Sequence, residues 1–189
     1  MKYITGINCS EQNLINLDGI ENLINLDFLN CSFNKLTKLN IENLINLKEL
    51  WCYNNKLTEL NIEKLVNLKN LICSGNKLTK INLENLINLS HLYCSYNMLN
   101  ELSIENLVNL KYLYCSNNLL TKLNLDNLVN LSRLDCGNNK LTELNIENLV
   151  NLKELNCSNN KLPYNDLDEY NKWFEKTYPE KVAAKRYNL

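Results

Sequence analysis

Apolar and polar positions recur along this chain in a fixed order. The stretch Leu47 to Leu57 reads Leu-x-x-Leu-x-Cys-x-x-Asn-x-Leu, and that pattern returns every 21 residues through most of the sequence. Cysteines mark it at Cys9, Cys31, Cys52, Cys73, Cys94, Cys115, Cys136 and Cys157, spaced by 21 except for a first interval of 22. The extra residue falls between Leu17 and Leu23, near Asp18 and Gly19, where a turn absorbs it and register is kept on both sides. A chain with this period is a stack of similar coils, each burying its apolar side only against its neighbours.

Within a repeat, Leu-x-Cys alternates with period two, which predicts a short strand at every cysteine. Six further apolar columns, represented by Leu57, Leu60, Ile62, Leu65, Leu68 and Leu71, fill one thin core with the cysteine. The spacing of three in Leu65, Leu68 and Leu71 predicts a tight turn or a piece of 3₁₀ helix, because 21 residues cannot hold the two helices of a helical solenoid repeat. Three residues after each cysteine from Cys31 onward stand Asn34, Asn55, Asn76, Asn97, Asn118, Asn139 and Asn160, with Gln12 in the first copy. An amide carries both donors and an acceptor, so this column is expected to pair the backbone groups of the turn where strand bonding stops.

These residues resemble the leucine-rich repeat family, specifically its short forms of 21 to 22 residues, similar to those of bacterial and large-virus proteins, over roughly Ile7 to Leu162. Cysteine in place of the usual aliphatic residue, and Gln12 in place of Asn, are departures from that family's pattern. The resemblance implies a β-rich α/β solenoid, a curved right-handed coil with a parallel β-sheet on its concave face, and recognition rather than catalysis. Strands about 4.8 Å apart would make a sheet of eight roughly 35–40 Å long. The repeats are expected to occupy residues 1–162 and a helical cap residues 163–189. Past Pro163, Asn165 or Asp166 can cap a helix running to about Lys176, with Leu167, Tyr170, Trp173 and Phe174 on the face that covers the last coil. Pro179 ends it and starts a second short helix through Ala183, Ala184 and Lys185. The amino end has no such cap, so its edge is covered by residues around Tyr3 and Ile4 or by another chain.

Composition removes several function classes. Lys plus Arg number 20 against 21 for Asp plus Glu, and a net charge of -1 supplies no field for nucleic acid or an anionic membrane, so neither is an expected partner. Asn or a charge interrupts every apolar run well short of the roughly 20 residues that span a bilayer. The opening MKYITGINCS has no apolar signal segment, so the eight cysteines are expected reduced in the cytoplasm, as small buried hydrophobes. A line of thiols lacks the paired spacing of a zinc site, His91 is the only histidine, and there is no glycine-rich phosphate loop. No catalytic residue, metal or cofactor is therefore expected. The acidic column Glu42, Glu63, Glu84, Glu105, Asp126 and Glu147 reads as a solvated face. A second column alternates in sign, Lys38, Glu59, Lys80, Glu101, Lys122 and Glu143, and is expected to form an ion-pair network that fixes register.

Function is expected at the positions that vary. Alternation sends each cysteine inward and its strand neighbours outward. Immediately before the cysteines stand Asn8, Asn30, Trp51, Ile72, Tyr93, Tyr114, Asp135 and Asn156; two places further back are Gly6, Phe28, Glu49, Asn70, His91, Tyr112, Arg133 and Glu154. The column Lys35, Lys56, Lys77, Lys140 and Lys161 is broken by Met98 and Leu119 in the coils that carry the tyrosines, and Tyr96 lies in the same region. Aromatic residues and Met inside a polar rim are what interface cores favour. The expected binding site for a protein or peptide is thus Trp51, Tyr93, Tyr112 and Tyr114, surrounded by Tyr53, Ile72, His91, Tyr96, Met98 and Leu119, with Arg133 and Asp135 setting orientation. Three alternatives stay open at this point. The aromatics can serve only as cross-strand pairs, contributing about 0.2–1 kcal/mol each. They can stack on glycans, or the chain can self-assemble as a homodimer through its uncapped amino end.

Overall fold

The computed structural model describes residues 4–187, so Tyr3, expected at the amino edge, lies outside the described residues. Eight strands of three residues each form one parallel sheet in sequence order: β1 Gly6–Asn8, β2 Phe28–Asn30, β3 Glu49–Trp51, β4 Asn70–Ile72, β5 His91–Tyr93, β6 Tyr112–Tyr114, β7 Arg133–Asp135 and β8 Glu154–Asn156. Pairing is residue for residue, as in Leu50 opposite Leu71 and Leu71 opposite Leu92. The sheet lines a curved solenoid. Opposite it, the leucines spaced by three close consecutive turns: Leu65 N–H donates to Ile62 O and Leu68 N–H to Leu65 O, both at 2.9 Å. Among the described residues only the first coil tightens into a 3₁₀ segment, Ile20–Asn22, and the extra residue is taken up just before it at Gly19, whose φ of 93° favours a residue without a Cβ.

The asparagine column joins each coil to the one before it. Asn76 Nδ2 donates to Cys52 O and Cys73 O, each at 3.0 Å, while its Oδ1 accepts from Leu57 N–H at 3.0 Å. Asn55, Asn97, Asn118, Asn139 and Asn160 repeat the arrangement. Gln12 occupies the column's start, where no earlier coil precedes it, and donates instead to Ser10 O. A second asparagine column lies on the outer turns: Asn46, Asn67, Asn88, Asn109, Asn130 and Asn151 each donate to a carbonyl of the preceding coil at 2.8–3.0 Å. In the first column Asn34 to Asn139 are buried, with Asn160 half-buried and Gln12 exposed at its two ends, and the second column is exposed.

Leucines and cysteines fill one continuous core. Seven cysteines, Cys31 to Cys157, are buried and unpaired; Cys9, in the edge coil, is half-buried. Burial pushes the Cys73 thiol up to about 12, and does the same to Cys31 with help from Cys9, so these thiols stay protonated and inert. The alternating column departs from expectation. Among the described residues, Lys38, Glu59, Lys80, Glu101, Lys122 and Glu143 form no ion pair with one another. All six are exposed, and closing such a pair in water gains about as little as the ordering of two long side chains costs.

At the carboxyl end, α1 (Leu167–Thr177) and α2 (Pro179–Tyr187) follow the last coil. Asp166 is the cap: its side chain accepts from Glu169 N–H at 2.9 Å, and Glu169 reaches back to Asn165 N–H at 2.9 Å. Tyr170 and Phe174 are buried against the end of the stack, together with Tyr164, whose hydroxyl donates to Leu144 O at 2.9 Å. No helix among the described residues is long and apolar enough to cross a membrane.

Replacing Asn76 by Ala strands buried backbone groups in two coils, so equilibrium urea unfolding should register a loss of about 1–3 kcal/mol. The same change at exposed Asn88 should cost less than about 0.5 kcal/mol, because water replaces the lost partner.

Candidate functional site

From β2 to β8 the central leucine of the strand is buried and its two neighbours face outward, while β1 has the half-buried Ile7 at its centre. Register then lays the outward residues in two rows. One row runs Glu49, Asn70, His91, Tyr112, Arg133; the other runs Trp51, Ile72, Tyr93, Tyr114, Asp135. Tyr93 and Tyr114 stack face to face, with centroids 4.7 Å apart and planes inclined by 5°. His91 and Tyr112 lie beside them with ring centroids 4.7 Å apart. The Arg133 guanidinium sits 5.7 Å above the Tyr112 ring and forms an ion pair with Glu154 at 3.0 Å. The hydrogen bond that Arg133 donates to the Tyr114 hydroxyl oxygen, then Glu154, raise its already high pKa, so its charge is permanent.

Partial burial shifts two members of this cluster, Tyr93 and His91, towards their neutral forms. Burial, reinforced by Tyr114 and Tyr112, raises Tyr93, which keeps its hydroxyl as a donor. Partial burial and then Lys111 lower His91 below the usual 6.5, with Glu49 opposing, so the ring is mainly neutral at pH 7 and its Nδ1 lies 2.8 Å from Ser90 Oγ.

Trp51 belongs to a second cluster. It packs edge to face on Phe28 at 5.3 Å, and its Nε1 is buried without an acceptor, so the ring is more a packed element than a free anchor. Tyr53 packs edge to face on Phe33 at 4.9 Å. Ile72 stands between Trp51 and Tyr93 in the row. Phe28 and Phe33 were not among the expected site residues. The signal for Phe33 lay in its column, where Asn54, Asn117, Asn138 and Asn159 are the rule.

That column is left-handed in every coil. Asn54, Gly75, Asn117, Asn138 and Asn159 have positive φ, the conformation that Asn and Gly tolerate best. Phe33 at 53° and Tyr96 at 55° hold the same conformation with large aromatic side chains that are 46% and 65% exposed. A non-glycine residue there carries strain of about 1–2 kcal/mol, offset in neither case by burial. Strand ends tell the same story. Asn8, Asn30, Asp135 and Asn156 each accept from the backbone N–H two residues on, which assigns Asp135 a local structural bond. Trp51, Ile72, Tyr93 and Tyr114 occupy the same position and cannot make that bond.

Met98 and Leu119 are both exposed, on the turn that follows the tyrosine strands. Leu119 lines a hollow of about 570 Å³ with Glu101, Leu102, Thr121 and Lys122, on the flank beyond the asparagine column rather than among the rings. Among the described residues no group of three or more His, Cys, Asp or Glu is placed to hold a metal ion.

A stack of short parallel strands with a variable outer face is the architecture of a recognition scaffold. The Leucine Rich Repeat family profile matches residues 109–131. An internalin C2 from Listeria monocytogenes is similar at 30% identity, with 84% of this chain and 73% of that one covered and a TM-score of 0.80. A leucine-rich repeat protein of Leptospira interrogans is 35% identical over 85% of this chain and 43% of its own, with a TM-score of 0.74. The functional domain of InlJ from Listeria monocytogenes, described as including a cysteine ladder, is 32% identical over 84% of this chain and 40% of its own, with a TM-score of 0.73. The chain therefore spans less than half the length of the last two. No curated protein matches it. The chain belongs to the leucine-rich repeat family, whose members generally act as non-enzymatic scaffolds for protein–protein interaction.

Tyr96→Asn should relieve backbone strain and raise stability by about 0.5–1 kcal/mol in urea unfolding, the reverse of what most substitutions do.

Proposed function

We propose that the protein is a non-enzymatic module that binds a protein or peptide on the outer face of its sheet, centred on Tyr93, Tyr112 and Tyr114. The observation that carries this reading is that aromatic residues gather where the repeat gives up its own stabilising choices. Tyr96 stands where Asn relieves strain, and Tyr93 and Tyr114 stand where Asn or Asp closes a strand end. Cross-strand pairing alone explains the Tyr93–Tyr114 stack but offers no reason for an exposed tyrosine at positive φ. Rings with exposed rims and hydroxyl donors, beside Arg133, provide the amphipathic contacts on which interfaces depend. The glycan reading has less support, because Tyr93 and Tyr114 turn one face of each ring to the other. Buried, protonated thiols fit a reducing compartment, and the reading places the module in the cytoplasm.

Affinity capture should recover partners with the native chain that a Tyr93→Ala, Tyr114→Ala variant loses by tenfold or more, about what removal of two anchors costs. An unchanged set of partners at unchanged strength would sink the assignment.

A second reading, pairing with another copy through the amino-terminal coil, is supported by Ile7, Cys9, Leu14 and Leu17, which remain only partly buried at that edge, and by Ile4, which is 53% exposed. Light scattering should then give a concentration-dependent rise towards twice the monomer mass. A constant monomer mass up to high concentration rules it out.

A further inference from the structure

The near-zero net charge conceals a strong separation of sign around the solenoid. Immediately before the strands stand Lys48, Lys69, Lys111 and Lys153, preceding β3, β4, β6 and β8. On the other side of the sheet, directly after the buried asparagines, stand Lys35, Lys56, Lys77, Lys140 and Lys161. All nine are exposed, and among the described residues only Lys48 is ion-paired, to Asp27 at 3.4 Å. Arg133 adds a further cation on the sheet itself. Acidic residues on this side are Glu11, Asp27, Glu49, Asp135 and Glu154, of which Asp27 and Glu154 are already paired with cations. The turns opposite the sheet carry the reverse charge, in Glu42, Glu63, Glu84, Glu105, Asp126 and Glu147; Lys181 pairs with Glu147 at 2.9 Å and Lys64 lies in the same turns, while the alternating column is neutral overall.

From this arrangement we infer that the partner is an acidic polypeptide segment, with apolar or aromatic residues against the tyrosines and carboxylates reaching the lysines on both rims. The inference rests on the sheet face being the binding surface. Three-residue strands give an aromatic floor about 10 Å wide, the width of one extended segment with its side chains. Basic rims on both sides of such a floor attract carboxylates over a Debye length and fix which segment docks. The lysine column is interrupted at Met98 and Leu119, beside the coils whose strands carry the tyrosines, so the contact there is apolar and the charge flanks it. A nucleic acid strand fits less well. The Tyr93 and Tyr114 rings on which bases would stack each have one face taken up by the other, at 4.7 Å.

The test is selection of a random peptide library displayed on phage against the full chain, followed by anisotropy measurements on synthesised winners. Enriched peptides should be net negative with at least one aromatic or large apolar residue. Their affinity should fall with added salt and drop about tenfold in a Lys48→Glu, Lys69→Glu, Lys111→Glu variant, all exposed positions that leave the core untouched. Winners that are neutral or basic, winners indifferent to the triple reversal, a selection that enriches nothing, or a single-stranded oligonucleotide that binds more tightly than the best peptide would each overturn the inference. The Tyr93→Ala, Tyr114→Ala variant separates the two levels. Neutral winners lost on that variant sink the charge inference and leave the aromatic site standing. Acidic winners that need the lysines but not the tyrosines uphold the basic rims and sink the aromatic centre.

Discussion

One amide side chain per coil governs this fold. A strand of three residues can satisfy only a few backbone groups before the chain must turn, and the turn is buried between neighbouring coils where no water can serve. Each column asparagine satisfies a carbonyl in its own coil and one in the coil before, and accepts an N–H from that earlier coil. The contact is tied to position, because an amide held between two carbonyls allows a neighbouring coil no freedom to slip. Register in the sheet, alignment of the leucines and the stacking of the cysteines all follow from it. Since these fixed columns supply the cohesion, the outward strand positions contribute little to it and are free to differ.

Much of the architecture was legible because a column in space is a period in sequence. Strand positions, the buried asparagines, the leucine turns and the extra residue at Gly19 could be read from spacing alone, and so could Asp166 as one of two candidate caps. What spacing did not reveal was conformation and solvation. The column of Phe33 and Tyr96 is left-handed, and only its preference for Asn and Gly hinted at that. The alternating charges are adjacent as expected but remain apart, because adjacency says nothing about whether water will release two exposed side chains. The outer asparagines were visible at a fixed position, yet no polarity pattern separates a side chain that bonds the previous coil from one that merely faces solvent.

The candidate site divides in the same way. Row membership of Trp51, Ile72, Tyr93 and Tyr114 followed from register, and so did the neighbours His91 and Tyr112. The roles within the rows did not, because they depend on contacts between side chains. Trp51 turned out to be packed on Phe28 with its donor enclosed, Asp135 to be engaged with its own turn, and Leu119 to line a hollow on the flank. Arg133 holds three neighbours at once, Tyr112, Tyr114 and Glu154, so it braces the tyrosine cluster as well as charging it.

The backbone at Tyr96 has a consequence for how this sequence drifts. Tyrosine and asparagine codons differ by a single base, and asparagine is what most other coils carry at that position. A relaxed backbone is thus one point mutation away in every generation, with mutational supply and folding free energy both favouring the change. A lineage that goes on encoding tyrosine there resists both, and the resistance has to come from something outside the fold. Tyr96 is therefore the position at which the loss of the partner would first be written into the gene.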